Sequence, residues 1–110
     1  MNKPAANIKT TLCEYLEQAH TGEGEAISSK ELERVFRVKG TEIRRLVNVL
    51  RCESKPICSN AMGYFYAANR QELQETISQL NSRVKMISKA RDGLMKHLEE
   101  TMERSAVNGE

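Results

Sequence analysis

The chain has no tryptophan, and its aromatic residues are three tyrosines and two phenylalanines among 110 residues. This small number of aromatic side chains is enough for a small helical core but argues against a large enzyme with a deep cofactor cleft. No apolar run approaches the roughly 20 residues that span a bilayer, so we predict no membrane association. Residues 1–10 lack the apolar stretch of a signal peptide, and we therefore expect a cytoplasmic protein.

Cysteine and histidine are also scarce and scattered. The three cysteines, Cys13, Cys52 and Cys58, are an odd number without a C-x-x-C pair, which favours reduced thiols over disulfides. His20 and His97 have no ligand partners at metal spacing. The chain also lacks a glycine-rich phosphate loop, a Ser/His/Asp grouping and paired carboxylates. We therefore expect no metal, no cofactor and no enzymatic activity, and we interpret Cys58 as a packed strand thiol.

Charge is balanced overall but uneven along the chain. The net charge is only +2, which excludes a uniformly basic protein. Residues 28–55, however, carry eight basic against four acidic residues, a net charge of +4, whereas residues 1–27 carry a net charge of −2. One short stretch thus contains the excess positive charge, as expected for a local surface that binds a polyanion.

The first periodic segment predicts a helix of about three turns. Its apolar residues recur every three or four positions, which places them on one helical face. This face consists of Ile8, Leu12, Tyr15, Leu16 and Ala19. Two glycines in the segment 21–24 end the helix.

A short second helix is predicted after the isolated apolar residue Ile27. Ser28 or Ser29 caps it, because Ser28 has capping-box spacing to the glutamate three residues later. The side chains expected to be buried are Leu32, Val35 and Phe36. The segment 38–40 breaks the helix, with Gly40 in a turn conformation.

A third helix is predicted to begin with Thr41 as its cap. Its apolar face has the i, i+3, i+4, i+7 spacing and consists of Ile43, Leu46, Val47 and Leu50. The opposite side carries Thr41, Arg45, Asn48 and Cys52, with Arg44 and Arg51 on one flank. This helix therefore has one buried face and one basic outer face.

Two short strands are predicted next, at 57–59 and 64–66, joined by the four-residue loop 60–63. Ile27 is placed where a strand of one or two residues pairs with this hairpin. The order of helix, single apolar residue, helix, turn, helix and hairpin is typical of a helix-turn-helix followed by a wing. The expected fold is mainly α, with three helices, a short β-hairpin and a long C-terminal helix.

Ile27 to Ala67 resembles the winged helix-turn-helix domain of small bacterial and phage DNA-binding proteins. The motifs that carry the resemblance are Ser28-Ser29-Lys30-Glu31-Leu32, Gly40-Thr41-Glu42-Ile43-Arg44-Arg45-Leu46, Pro56-Ile57-Cys58-Ser59 and Gly63-Tyr64-Phe65-Tyr66. In particular it is similar to short phage and prophage proteins in which a P-I-C-S…G-Y-Y wing precedes a helical tail. The resemblance implies that the third helix enters the major groove and that the wing contacts the DNA backbone or minor groove.

The C-terminal segment predicts a long helix capped by Asn69, from Arg70 to about Met102. Apolar residues alternate in steps of four and three, a coiled-coil repeat. The expected dimerisation residues are Leu73, Ile77, Leu80, Val84, Ile87, Leu94 and Leu98, and Arg91 and Thr101 complete the same seam. A homodimer is the favoured interpretation, with a bend at Gly93 or a foreign partner as alternatives and the helix orientation left open. The expected organisation is a winged domain at 8–67 and a dimerisation helix at 69–103, with flexible ends at 1–7 and 104–110.

The resemblance and the basic outer face predict a dimeric transcriptional regulator that binds double-stranded DNA. Arg45, Asn48 and Thr41 would contact base edges. The residues expected to neutralise phosphates are Lys39, Arg44, Arg51 and Lys55, joined at some docking angles by Lys30 and Arg34. The uncharged wing tip offers only hydrogen bonds from Asn60 or insertion of Met62.

An alternative hypothesis uses the same residues for docking onto a protein. Winged helices also serve as interaction modules, and fold does not determine function. If the phage resemblance holds, such a protein would bind and inhibit a host complex, for example a CRISPR effector. The modest net charge, Glu42 in the third helix and the neutral wing are compatible with this alternative.

Overall fold

The computed structural model describes the backbone of residues 5–107 and the side chains of residues 8–104. The elements are α1 (Ala5–Ala19), a 3₁₀ turn (Glu23–Glu25), α2 (Ser29–Phe36), α3 (Gly40–Cys52), β1 (Ile57–Asn60), β2 (Gly63–Tyr66) and α4 (Arg70–Val107). The chain divides into two units, residues 1–76 and 77–110. The fold is mainly helical, with a small antiparallel two-stranded sheet and a long C-terminal helix, as the sequence predicts.

The first unit has a core contributed by its three helices and the hairpin. Its fully buried side chains include Leu12, Leu16, Leu32, Ile43, Leu46, Val47, Leu50 and Ile57. The predicted apolar face of α3 is confirmed at all four positions. Two other predictions are wrong, because Ala19 is exposed and Val35 is 47% exposed. In the eight-residue α2 the narrow buried edge runs through Leu32 and Phe36, and the Phe36 ring meets Tyr15 edge-on.

The turn between α2 and α3 differs from the prediction. Ser28 caps α2 as expected, because its Oγ accepts a hydrogen bond from the Glu31 amide at 3.2 Å. The left-handed residue that ends α2 is Arg37 (φ 55°), however, and Gly40 is already the first residue of α3. Lys39 is the N-cap, without a side-chain hydrogen bond, so the predictions of a Gly40 turn and a Thr41 cap are both wrong.

Gly40 serves instead as a point of close approach between the two helices. A Cβ at this position would lie 2.8 Å from Oε2 of Glu33 and 3.6 Å from Oγ of Ser29. A larger residue would therefore displace the Glu33 side chain from the start of α3.

The hairpin turn is tighter than predicted. Asn60 pairs with Gly63, so the strands extend one residue further on each side and the loop consists of Ala61 and Met62 alone. Asn60 Oδ1 stabilises this loop by accepting the amides of Met62 at 2.8 Å and Gly63 at 3.1 Å. The predicted pairing of Ile27 is confirmed, because Ile27 and Tyr64 exchange two backbone hydrogen bonds of 2.8 Å.

One face of the hairpin packs on the helical core, and the first turns of α4 lie against the other. Cys58 and Phe65 are opposite each other in the register and both are buried. The Cys58 thiol donates to the carbonyl of Glu72 at 3.7 Å, and the Ser59 amide donates to Thr76 Oγ1 at 3.3 Å. The start of α4 therefore belongs to the first unit.

The second unit consists of the remainder of α4. The whole helix has 38 residues, which corresponds to about 57 Å at 1.5 Å per residue. It is continuous through Gly93, where the sequence allows a bend. Of the ends predicted to be flexible, residues 5–7 and 104–107 have helical backbone, and the remaining residues lie outside the described part of the chain. Within 5–107, no helix has the length and apolar character needed to cross a membrane.

Candidate nucleic-acid interface

The rotation of α3 is fixed by its buried residues. Four side chains, each at most 2% exposed, pack the helix against the core. The helical repeat then directs the other side of α3 to solvent. We define the outer face of α3 as four of its five exposed residues, Thr41, Arg44, Arg45 and Asn48, and leave out Cys52 at its C-terminal end. All of the residues that the sequence assigns to base contacts are therefore on one surface.

Arg45 is held on this face by an ion pair with Glu42 of the preceding turn. Its Nε and Nη2 donate to the two carboxylate oxygens at 2.9 and 2.8 Å. The hydrogen bonds from Arg45 lower the pKa of Glu42, and the same contact raises the pKa of Arg45. Because two of the five guanidinium N–H groups are engaged, three remain to donate to a ligand. The ion pair orients Arg45, and the two side chains together carry no net charge.

The other basic groups near the start of α3 are not paired in this way. Arg44 is exposed and forms no ion pair within the described residues. Lys39, the N-cap of α3, is also exposed. Arg37 is also exposed, in the left-handed conformation that ends α2. Sequence reasoning missed Arg37 as an individual residue, although it lies within the basic stretch, because only the helix end reveals its position.

Arg51 has a different environment from Arg44 and Arg45. Its Nε donates to the carbonyl of Ile57 at 2.8 Å, and its Nη2 donates to Ser59 Oγ at 3.1 Å. The side chain is partly buried and joins the end of α3 to β1. Arg51 is predicted to contact phosphate, but two of its guanidinium N–H groups form hydrogen bonds within the fold.

Lys55 lies beyond the C-terminal end of α3, on the side of α1. Its ammonium group lies near Cys13, where its positive charge partly opposes the rise in thiol pKa caused by burial. Lys9 of α1 forms an ion pair with Glu53 in the same region. Since α3 is about 20 Å long, Lys55 and Lys39 are at opposite ends of the helix. The two lysines do not form a single cluster.

Asn60 and Met62 at the hairpin tip have contrasting roles. The Asn60 side chain is engaged on both sides, since its Oδ1 accepts two loop amides and its Nδ2 donates to the carbonyl of Glu23 at 3.3 Å. Met62 is 72% exposed. Glu23 and Glu25 are exposed in the 3₁₀ turn that Asn60 contacts. The tip thus presents an apolar side chain beside acidic residues and offers no cation to a phosphate.

Two basic residues of α2, Lys30 and Arg34, are also exposed. Arg34 forms an ion pair with Glu31 at 2.8 Å, and both side chains are at least half exposed. Exposed pairs of this kind contribute little to stability and exchange readily for other partners. Lys30 and Arg34 are therefore accessible to an anionic ligand.

The cysteines of α3 and β1 have different environments. Burial raises the pKa of the Cys58 thiol, whereas Cys52 is exposed at the end of α3. In the part of the chain that the structure describes, no three His, Cys, Asp or Glu side chains are grouped to hold a metal ion.

The residues predicted to mediate dimerisation form a stripe along α4. Leu73 and Leu80 are half-buried. The other predicted residues are exposed in the single chain, namely Ile77, Val84, Ile87, Leu94 and Leu98. The second unit therefore presents large apolar side chains that no other described residue covers.

Comparison with known proteins does not identify a relative. No protein-family model, no curated protein and no solved structure matches this chain.

Proposed function

We propose that this chain is a DNA-binding protein of the winged helix-turn-helix type that acts as a dimeric, phage-type transcriptional regulator. The observation that carries the proposal is the outer face of α3, where two arginines, an asparagine and a threonine are exposed opposite a fully buried face. These residue types are the ones that pair with base edges and phosphates in the major groove.

In this proposal α3 enters the major groove and contacts bases through Arg45 and Asn48. Arginine suits guanine and asparagine suits adenine. The three free N–H groups of Arg45 can donate to guanine while Glu42 holds the guanidinium in place. Pre-orientation of this kind reduces the conformational entropy lost on binding.

Phosphate contacts come from the basic residues around the start of α3. Arg44 and Lys39 carry unpaired charges within the described residues, and Arg37 adds a third at the end of α2. Each phosphate neutralised by such a group releases counterions, which makes binding depend on salt. Arg51 and Lys55 have secondary roles, because Arg51 is engaged with β1 and Lys55 lies at the far end of α3.

Dimerisation in this proposal uses α4. The seam positions recur every three or four residues from Ile77 to Leu98; all are apolar except Arg91, and all the apolar ones except the half-buried Leu80 are exposed. A coiled coil with a second copy buries such a stripe. A dimer with two-fold symmetry presents two copies of α3 and predicts an operator with inverted repeats.

The test is a fluorescence-anisotropy titration of a random-sequence DNA duplex at two salt concentrations. We expect the wild-type protein to bind, with an affinity that falls steeply as salt increases. Arg44→Ala should weaken binding and reduce the slope of log K against log salt by about one. Arg104→Ala, which removes an equally exposed arginine near the end of α4, is the matched control and should leave both unchanged.

Absence of wild-type binding at low salt would contradict DNA binding. Equal effects of Arg44→Ala and Arg104→Ala would instead contradict the assignment of the outer face of α3.

A second candidate function is docking onto a host protein, such as a CRISPR effector. The observation that favours it is the hairpin tip, where Met62 is exposed beside the acidic 3₁₀ turn. An exposed methionine suits a protein surface better than a phosphate backbone. Met62→Ala should then abolish capture of the host complex without affecting DNA affinity, and the reverse result would exclude this candidate.

A further inference from the structure

The charges on the second unit are segregated along α4. Residues 77–91 contain Arg83, Lys85, Lys89 and Arg91 and no acidic residue, a net charge of +4. Residues 92–103 contain four acidic residues and one lysine, a net charge of −3. We call these ranges the basic segment and the acidic segment. One continuous helix therefore carries a basic segment followed directly by an acidic segment.

This segregation distinguishes the two ways in which two copies can pair. In a parallel, in-register pair each basic segment lies beside the basic segment of the second copy, and each acidic segment lies beside an acidic one. In an antiparallel pair each basic segment lies beside an acidic segment, and the arrangement occurs twice by symmetry. Complementary charges select the orientation and partner of helices more than they increase affinity.

Arg91 provides a second, independent criterion. It occupies the apolar seam between Ile87 and Leu94. In a parallel pair the residues of the seam meet their own copies, so two guanidinium groups would face each other between apolar layers. Like charges in a partly desolvated site repel strongly. An antiparallel pair avoids this contact.

We propose that two copies of this chain pair through α4 in an antiparallel orientation, with Val84 of one copy opposite Leu94 of the other. The proposal rests on the dimer of the proposed function and adds its orientation and register. The same alignment places Leu80 opposite Leu98. Both apolar layers occur twice in the dimer, on either side of a two-fold axis near Lys89.

Arg91 is accommodated at the centre of this alignment, opposite Ile87. Within its own chain the guanidinium contacts Asp92, with Nη2 and Nε at 2.8 and 3.0 Å from Oδ1. The aliphatic part of the Arg91 side chain can pack on Ile87 while the guanidinium group stays at the edge of the seam, beside Asp92.

The experiment is disulfide cross-linking between variants that each carry one introduced cysteine on α4. Val84→Cys and Leu94→Cys are made in a chain that carries Cys13→Ser and Cys52→Ser, since Cys58 is buried. Val84 and Leu94 are 62% and 74% exposed, so neither substitution removes a buried side chain from the single chain. Each variant is oxidised alone and after mixing with the other, and linked dimers are separated by non-reducing electrophoresis. Light scattering of the wild-type protein establishes the dimer independently.

We expect a linked dimer from the mixture and none from either variant alone. In the proposed register the two copies of position 84 are about ten residues apart along the axis, or about 15 Å, too far for a disulfide. Linking of Val84→Cys to itself would overturn the antiparallel orientation and leave the dimer intact. A dimer that yields no link in any mixture would overturn the register, and a monomeric wild-type protein would overturn the dimer itself.

Salt dependence gives a second readout of the orientation. Opposite segments attract in the antiparallel pair, so its dissociation constant should increase between low and moderate concentrations of sodium chloride. A parallel pair places like charges together and would dissociate less as salt screens their repulsion. A dissociation constant that decreases with salt would therefore contradict the proposal.

Discussion

Gly63 shows how one residue determines the geometry of the hairpin. Its backbone φ angle is 142°, which residues with a side chain rarely adopt. A Cβ at this position would also lie 2.0 Å from the carbonyl oxygen of Ile27. That carbonyl accepts the hydrogen bond from Tyr64, so it cannot move without breaking the bridge to β2. Backbone conformation and close approach therefore both require glycine here.

We predict that Gly63→Ala lowers the free energy of unfolding by roughly 2–4 kcal/mol, the combined effect of backbone strain and a steric clash. The measurement is urea unfolding followed by circular dichroism. Gly24→Ala is the matched control, because a Cβ there has no neighbour within 4 Å, and it should change stability by no more than about 0.5 kcal/mol. Similar losses in the two variants would show that the contact with Ile27 does not matter.

At the scale of elements, periodicity predicts the helices well because burial determines both the pattern and the packing. Ile43, Leu46 and Val47 of α3 are buried as their spacing predicts. The ends are predicted less well. The sequence does not show that Arg37 rather than Gly40 takes the left-handed conformation. Nor does it show that position 40 needs glycine because the Glu33 side chain lies where a Cβ would be. Helix ends depend on contacts between elements and not on the residue alone.

Some features of the candidate site could also be predicted from the sequence, and others could not. The exposure of Arg44, Arg45 and Asn48 could be predicted because it follows from the buried face of the same helix. The engagement of Arg51 with β1 and of Asn60 with Glu23 could not, since both depend on where the hairpin packs. Helical periodicity determines which way a side chain points. Tertiary contacts determine whether its hydrogen-bonding groups are already engaged within the fold.

Glu72 shows how a later element can hold earlier ones together. Capping-box spacing predicts hydrogen bonds in both directions between Glu72 and Asn69. The Asn69 side chain does accept a hydrogen bond from the backbone amide of Glu72. The Glu72 carboxylate, however, accepts the backbone amides of Glu23 and Ala68 at 2.9 and 2.8 Å, and the residue is buried. It therefore links α4 both to the 3₁₀ turn and to the segment that follows β2.

We predict that Glu72→Gln lowers the free energy of unfolding by about 1–3 kcal/mol, because the glutamine amide group can satisfy only one of the two backbone N–H groups. Thermal unfolding monitored by circular dichroism measures the change. Glu75→Gln, an exposed position one turn further along α4, should be nearly neutral. A neutral Glu72→Gln would mean that the two hydrogen bonds contribute nothing beyond those that water would make.

At the scale of the whole molecule, the buried core and the apolar side chains that we propose for self-association lie in different parts of the chain. The buried residues of the described part all lie between Leu12 and Thr76, within the first unit. The second unit has exposed apolar side chains and no buried ones among its described residues. Because burial of apolar area is the main source of stability, the first unit should fold without the second.

A chain of residues 1–81 tests this separation, since it keeps the first unit and one further turn of α4. We predict that it unfolds cooperatively in urea with a midpoint close to that of the full chain, because it retains every buried side chain. In light scattering it should have the mass of a single chain, and its affinity for DNA should fall because the second copy of α3 is no longer linked to the first. Loss of cooperativity would show that the rest of α4 stabilises the first unit. A dimer formed by residues 1–81 would show that self-association does not need the part of the stripe from Val84 to Leu98, and it would contradict both the proposed coiled coil and its antiparallel register.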